Sequence, residues 1–337
     1  MIVRNKNSPN LTLFYLLVAG LILLNSYCAV IPEFDKGRVD RIARGPEFEP
    51  YTGIKKRIAV FDFENVSHLG GEKLGSGFSD MLITQLSRSG RFILLERSRL
   101  EQILQEQAIG QSGLISEESA AQVGQLLGVE AIITGKINQA GQQTGSHEFD
   151  KKDDWNLALK ATVGFVDVSF RMISTTSGEI LLANQVQKKE IKPGFGLQTK
   201  EVDFSNLYEF DQTVVGVAFR KAANQIASEI VQNIDKVKSY GKVVQTTQDS
   251  VVYFTPGSGA GVRVGQIFNV YSATSSLADD SFSASHSISS PQRPKARIEV
   301  SGFIGDKVSR ARVLMGGGIK RGDLVELLKN RQLLTPQ

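Results

Sequence analysis

The stretch Arg57-Ile-Ala-Val-Phe-Asp-Phe63 opens the part of the chain that decides the fold, and its apolar residues predict a strand. A polar, glycine-containing loop follows over residues 64–73. Residues 74–87 then carry apolar side chains at helical spacing, namely Leu74, Phe78, Met81 and Leu82. A short apolar run, Arg91-Phe-Ile-Leu-Leu95, comes directly after Gly90 and predicts a buried strand. The pattern is that of a strand–helix–strand unit.

The next segment repeats the alternation of helix and strand. Helices are predicted over residues 97–107 and from Ser116, where Glu117 and Glu118 lie in the first turn and suit the helix dipole. The stretch Glu130-Ala-Ile-Ile-Thr-Gly135 predicts another strand. This order of elements indicates an α/β fold, an α+β sheet with helices packed on it.

The middle of the chain predicts an antiparallel hairpin and a long helix. Residues 135–154 are polar and predict a long exposed hairpin tip or loop. Residues 157–173 alternate at period two, but the apolar set moves from odd to even positions at Phe165-Val166, which predicts a β-bulge that keeps one face inward. Asp167 then lies on the polar face of this strand. Residues 179–191 predict the returning strand. Residues 214–235 predict a helix with an Ala/Ile stripe that packs on the sheet.

Several motifs of this segment occur together in one known family. They are Phe61-Asp-Phe-Glu-Asn65, Met81-Leu-Ile-Thr-Gln-Leu86, Gly90-Arg-Phe-Ile-Leu-Leu-Glu-Arg97, Leu127-Gly-Val-Glu-Ala-Ile-Ile-Thr-Gly135 and Ser174-Thr-Thr-Ser-Gly-Glu-Ile180. Over residues 56–235 the chain resembles the curli production assembly/transport component CsgG family. The resemblance implies the same sheet and helices, and a role in the assembly or transport of surface structures.

In pore-forming CsgG relatives, two segments beside this hairpin build transmembrane strands, and residues 138–156 and 185–210 match them here. The first segment is mostly polar. In the second segment, four apolar or aromatic residues at even-numbered positions are candidates for contact with a membrane or another subunit: Val202, Phe204, Tyr208 and Phe210. The loop at residues 64–73 lacks the tyrosine and phenylalanine of the family's pore constriction, so we assign no constriction residues.

The N-terminus has the features of an export signal. Arg4 and Lys6 precede an apolar run over residues 11–24, and Cys28, the single cysteine of the chain, follows it. Residues 1–28 are therefore predicted to be a lipoprotein leader, with Cys28 as the lipidated residue and a membrane as its partner. Asn25-Ser26-Tyr27 departs from the small residues that usually precede such a cysteine, and the alternative is an ordinary secretory signal. Residues 29–55 predict a tether.

The rest of the composition excludes several classes of function. The net charge of +4 is spread along 337 residues, which gives no support to nucleic-acid binding. The three histidines are far apart in sequence, so we predict no metal and no cofactor. The run Gly70-Gly-Glu-Lys-Leu-Gly-Ser-Gly77 opens a helix but lacks the spacing of a phosphate-binding loop. We therefore predict a protein that is not an enzyme. An enzyme or a nucleotide-binding protein that uses residues 70–77 is an alternative hypothesis.

Beyond residues 56–239 the sequence predicts a small β-barrel-like domain over residues 240–330. Six short β-like runs are separated by turns of glycine and proline. The turns Val262-Arg-Val-Gly265 and Ile319-Lys-Arg-Gly-Asp323 are similar to those of SH3-like barrels such as the flagellar FlgT C-terminal domain. The serine-rich insertion at residues 272–294 is predicted to be disordered.

Together these features give one main hypothesis and one principal alternative. The main hypothesis is a homo-oligomeric lipoprotein of the periplasm, anchored to the outer membrane, that docks other envelope proteins during secretion or surface assembly. The alternative is an oligomeric outer-membrane secretion channel of the curli type.

Overall fold

The computed structural model describes residues 36–96, 126–148, 158–193, 207–247, 250–273 and 293–328. Cys28, Val202 and Phe204 lie outside these residues. So do the helix predicted over residues 97–107, most of the helix predicted from Ser116, and all but the ends of the serine-rich insertion.

The first part of the chain forms the predicted strand–helix–strand unit. Helix α1 (Lys36–Arg44) precedes strands β1 (Lys56–Val60) and β2 (Glu64–Asn65), helix α2 (Gly71–Arg88) and strand β3 (Phe92–Leu94). Strand β1 runs parallel to β3, with Lys56 opposite Phe92. Helix α2 buries the four apolar residues that predicted it: Leu74, Phe78, Met81 and Leu82. The period of 3.6 therefore identified the buried side of this helix correctly.

Three long antiparallel strands form the rest of this sheet, and we call them the blade: β4 (Ala131–Glu148), β5 (Ala158–Ser174) and β6 (Ile180–Pro193). The strand order is β3–β1–β4–β5–β6, and β2 pairs with β4. The hairpin tip or loop predicted over residues 135–154 is wrong in its beginning, because β4 continues as a paired strand to Glu148, which pairs with Ala158. Polar side chains fit a strand here because hydrogen bonds to β5 satisfy its backbone.

The bulge predicted in β5 is also wrong. Strand β5 pairs without interruption along β4 beside Phe165 and Val166, and the extra residue is Asn138 on β4, between the pairs Ile137–Val168 and Gln139–Asp167. Because β5 is regular there, its odd and even positions keep opposite faces throughout. Val166 is buried on the face that meets the helices, whereas Phe165 lies on the other face, which we call the outer face of the blade.

Two helices cover the inner face of the blade. Helix α3 (Leu207–Asp211) leads into α4 (Val214–Gln232), whose first turn is capped by Thr213: its Oγ1 accepts a hydrogen bond of 2.9 Å from the Gly216 backbone N–H. Helix α4 is the helix predicted over residues 214–235, and its Ala/Ile stripe is buried as expected: Ala218, Ala222, Ile226 and Ile230. A short 3-10 helix, Ile234–Lys236, ends this segment.

The C-terminal sequence forms a closed antiparallel barrel, as predicted. Its strands are β7 (Gly241–Thr246), β8 (Val251–Thr255), β9 (Ile267–Tyr271), β10 (Ala296–Ile304), β11 (Val308–Gly316) and β12 (Leu324–Leu327). They pair in the order β10–β11–β8–β7–β12–β9, and β9 closes onto β10. Each strand contains one of the six predicted β-like runs or most of it. The barrel has its own apolar core, which includes Phe254 and Phe268 with ring centroids 4.9 Å apart.

The predicted tether at residues 29–55 is wrong from Lys36 onward, because residues 36–55 form a strap that is bound to both sheets. The Asn224 side-chain amide of α4 donates a hydrogen bond of 2.8 Å to the Ile42 carbonyl oxygen of α1. At the other end, Ile54 packs into the barrel core and the Lys55 backbone N–H donates to the Ala260 carbonyl oxygen at 2.8 Å. A free tether would leave these polar groups and this apolar side chain in water.

Candidate functional site

A polar cluster lies at the middle of the blade's outer face. The Asp167 carboxylate of β5 accepts hydrogen bonds from three side-chain amides: Asn138 at 3.0 Å, Gln185 at 2.7 Å and Gln187 at 2.9 Å. Gln187 stands directly opposite Asp167 on β6, and Asn138 reaches it from β4. The cluster therefore joins all three strands through one carboxylate.

The bulge in β4 places Asn138 in this cluster. As the extra residue between two pairs, Asn138 lacks a partner position on β5 and turns its amide toward Asp167. Its side-chain oxygen accepts a hydrogen bond of 3.4 Å from the Ser169 hydroxyl. Amide donors neutralise none of the carboxylate's charge, but they satisfy its lone pairs and hold the side chain in place.

A partly exposed apolar strip, in which Phe165 is half-buried, lies next to the polar cluster and farther along the blade. The Phe165 ring lies across Gly141 of β4, so that a Cβ on Gly141 would stand 2.8 Å from the ring. Val163 is half-buried and stands directly opposite Ile191 of β6, whose side chain is 59% exposed. Residues directly opposite share a face, so this apolar strip and Asp167 form one surface. A surface of this kind is suited to binding a partner.

The inner side of the blade carries charged side chains that have structural roles. Arg220 of α4 binds Asp211 of α3 with two parallel hydrogen bonds of 2.8 Å. Lys221, the next residue, pairs with Glu190 of β6, which is 3% exposed. These two ion pairs join α3, α4 and β6 to one another. Among the described residues, no group of three His, Cys, Asp or Glu residues is placed to hold a metal ion.

A third cluster lies where the strap passes from one sheet to the other. The Arg91 guanidinium carbon stands 4.9 Å above the Tyr51 ring centroid, and the Tyr51 hydroxyl donates to the Ile54 carbonyl oxygen at 3.1 Å. Burial raises the pKa of Tyr51 above its ordinary value, and the carboxylates of Asp235 and Glu130 raise it further. Tyr51 therefore keeps its proton and acts as a hydrogen-bond donor and a packing surface.

Comparison with known proteins identifies the first sheet and its helices. A model of the family "curli production assembly/transport component CsgG" matches residues 48–251, which is more than half of the chain. The chain belongs to the CsgG family. The match begins inside the strap and ends in the first hairpin of the barrel, so it extends beyond the stretch at residues 56–235 that carried the resemblance.

The individual proteins that this chain resembles are distant from it in sequence. The chain is 23% identical over 194 residues to a protein of Neisseria meningitidis named a putative lipoprotein, an alignment that covers 55% of this chain and 79% of the relative. Among solved structures it resembles lipoprotein GNA1162 of N. meningitidis, at 11% identity and a TM-score of 0.32, with 53% of this chain and 98% of that one covered. It also resembles a PelC dodecamer of Paraburkholderia phytofirmans, at 8% identity and a TM-score of 0.28, with coverages of 54% and 93%.

The CsgG fold accounts for the glycines at residues 70–77. Gly70 precedes α2 with a φ of 73°, a conformation that glycine adopts at no steric cost. Within α2, a Cβ on Gly75 would stand 1.9 Å from the Phe63 carbonyl oxygen, so this glycine lets the helix approach the chain after β1. Backbone conformation thus explains Gly70 and close packing explains Gly75, two of the glycines that suggested a phosphate loop.

The structure describes two of the four predicted contact residues, Tyr208 and Phe210. Phe210 lies on α3 rather than on a strand, and its side chain is 2% exposed within the core. The strand assignment is corrected at this residue, because a helical turn directs Phe210 toward Phe219. Tyr208 lies on the same helix. Among the described residues, no helix has the length and apolar character needed to span a bilayer.

Sequence reasoning found one member of the outer-face cluster and missed the others. It placed Asp167 on a polar face, and the structure confirms this position. Gln185 and Gln187 alternate along β6 at period two, which is a signal for a shared face. Asn138 gave no signal, because a bulge depends on the pairing of two strands.

Proposed function

We propose that this CsgG-family chain is a non-enzymatic lipoprotein of the cell envelope, anchored to the outer membrane and facing the periplasm. It acts in the assembly, secretion or docking of surface structures. The observation that carries this proposal is the apolar strip of Val163, Phe165 and Ile191, which adjoins the Asp167 cluster on an exposed face of the blade. The Asp167 carboxylate already accepts hydrogen bonds from three amides and lies beside apolar side chains, so it offers a contact surface rather than a nucleophile or a base.

A second copy of this chain is the partner that the blade fits best. Strand β6 is the last strand of its sheet, and no described strand pairs with its far edge. An edge strand presents unpaired N–H and C=O groups that another chain can pair with. Ile191 on this strand would be buried by such a contact. The oligomer would then dock the other envelope proteins.

Ile191→Asp is expected to reduce self-association of the purified chain. A carboxylate at a position that becomes buried between copies loses its hydration, so the association constant is expected to fall about 30-fold or more. Sedimentation velocity over a concentration series measures this. Ile304→Asp is the matched control, since Ile304 of the barrel is 57% exposed. Equal loss of association in both variants, or in neither, contradicts the docking role of the blade.

Cys28→Ser is expected to move the protein from the membrane fraction to the soluble fraction. An acyl chain contributes about 0.8 kcal/mol per buried methylene group, and several chains on one cysteine anchor a protein stably. Fractionation of cells that express each form, together with the mass of the mature N-terminal peptide, measures the effect. A membrane fraction that is unchanged in Cys28→Ser shows that another feature holds the protein there.

The secretion channel is the second candidate function, and one observation favours it. Residues 139–148 continue β4 as a paired strand rather than a loop, and these 10 residues match the length of about 9–11 residues that a transmembrane strand needs. Particles extracted in detergent and imaged by electron microscopy distinguish the two functions. A ring with a belt of detergent around the blade supports the channel, whereas a particle without such a belt supports the docking lipoprotein.

A further inference from the structure

The C-terminal end of α1 is held in a close-fitting joint. Carbonyl groups in the last turn of a helix lack partners within the helix. Here Asn224 donates to the Ile42 carbonyl oxygen at 2.8 Å, Gln85 donates to that of Ala43 at 3.1 Å, and Arg88 donates to that of Arg44. Gln85 is fully buried, which marks the joint as part of the folded domain.

Gly45 completes this joint directly after α1. Its φ is 73°, in the left-handed region, and its N–H donates to the Ile42 carbonyl oxygen at 3.1 Å. A Cβ at this position would stand 2.2 Å from the Gln85 side-chain oxygen and 2.9 Å from that of Asn224. The side-chain amides of Gln85 and Asn224 leave no room for a Cβ here, so the end of α1 fits closely against α2 and α4.

This joint shortens the connection between the leader and the CsgG domain. A chain of n residues spans at most about 3.6 Å × n, so the eight residues from Cys28 to Lys36 reach about 29 Å. A free chain from Cys28 to Lys55 would reach about 97 Å. If Cys28 carries the acyl chains of the proposed function, on which this inference rests, α1 lies close to the bilayer surface.

Helix α1 has the charge that such a position requires. Its nine residues contain four basic residues, Lys36, Arg38, Arg41 and Arg44, against one acidic residue, Asp40. Arg41 and Arg44 are exposed and three positions apart, which places them on one side of the helix. Arg88 is exposed next to Arg44, and the acidic residues Glu47 and Glu49 follow the helix.

We propose that α1 binds the phosphate groups of anionic phospholipids beside the anchor, through Arg41, Arg44 and the neighbouring Arg88. The bound helix holds the CsgG domain against the membrane, and its electrostatic attraction to the anionic surface adds to the acyl anchor. Because the joint at Gly45 attaches α1 to α2 and α4, these helices keep a fixed orientation relative to the membrane. The same side of the domain therefore always faces the bilayer, whereas a flexible tether would let the domain rotate freely.

Vesicle binding of the mature chain, residues 28–337 with Cys28→Ser, tests this surface without the apolar leader and without the acyl chains. The probes are phosphatidylcholine vesicles with and without about 30% phosphatidylglycerol, a content at which each basic residue near the surface contributes about fivefold to binding. The parent is expected to bind only the anionic vesicles, and less in 0.5 M salt by about tenfold. Arg41→Gln with Arg44→Gln is expected to weaken binding about 25-fold.

Arg263→Gln with Arg310→Gln is the matched control, because both residues are exposed on the barrel. This pair is expected to change binding by less than about twofold. Equal binding of the α1 pair and the parent overturns the proposal, and so does a larger loss in the barrel pair. The mass of the mature N-terminal peptide of the unmutated protein reports acylation separately. The peptide mass therefore shows whether Cys28 is acylated, and vesicle binding shows separately whether α1 binds anionic lipid.

Discussion

Gly164→Val is expected to destabilise the CsgG domain by about 4 kcal/mol. Gly164 lies on the inner face of β5, where a Cβ would stand 2.5 Å from the Val214 carbonyl carbon and 2.6 Å from the Val215 nitrogen. These atoms belong to the backbone of the first turn of α4, so no side-chain rotation relieves the overlap. The helix must move away from the blade and expose part of the core. Urea unfolding followed by circular dichroism measures the free energy of unfolding.

The matched control for this substitution is Gly141→Ala on the outer face of the same blade. There the new Cβ meets the Phe165 ring at 2.8 Å, and a ring at an exposed face can rotate away. The expected change is within about 1 kcal/mol, since alanine also loses less backbone entropy than glycine in a strand. Similar losses in both variants would show that α4 is not seated on β5 at Gly164.

The phase change at Phe165-Val166 shows how far the sequence predicts this blade. Apolar residues at odd positions up to Phe165 and at even positions from Val166 were explained by a bulge, on the assumption that apolar side chains share the buried face. The strand is regular, so the first set lies on the outer face and the second set faces α4. The pattern was therefore a signal of an exposed apolar strip, a possibility that an analysis based on burial alone excludes.

The strap illustrates a second limit of the sequence. Residues 36–55 have no apolar periodicity long enough to predict packing, and their prolines and charges are typical of tethers. Their binding depends on Gln85, Asn224 and Arg88, which are distant in sequence and whose partners are backbone carbonyls. Every residue type presents the same backbone carbonyl, so the identity of residue 43 does not predict the contact. Such contacts leave no pattern in the strap itself.

The barrel was predictable because strong turn signals separate its short β-like runs. Gly265 with a φ of 86° and Gly322 with a φ of 92° occupy turns that glycine tolerates best, two positions before β9 and β12 begin. Alternation then identifies the inward residues of β10, namely Ala296, Ile298 and Val300. Closure of the barrel was harder to foresee, since it depends on the pairing of β9 with both β10 and β12.

Phe219→Ala is expected to lower the free energy of unfolding by about 4 kcal/mol. The Phe219 ring is fully buried in α4 and makes edge-to-face contacts with Phe78 at 5.8 Å and Phe210 at 5.5 Å. Its removal leaves a cavity between α2, α3 and α4 that the backbone of three helices cannot close. Phe219→Leu keeps most of the volume and is expected to cost about 1 kcal/mol.

Phe210→Ala tests the corrected position of this residue in the same core. A buried ring predicts a loss of about 3 kcal/mol, with no change in membrane attachment or in particle mass under conditions where the variant is folded. The double variant with Phe219→Ala should lose less than the sum of the two single losses by about 1 kcal/mol, because the two rings contact each other. If Phe210→Ala unfolds like the parent but changes the particle mass, Phe210 instead contacts another subunit.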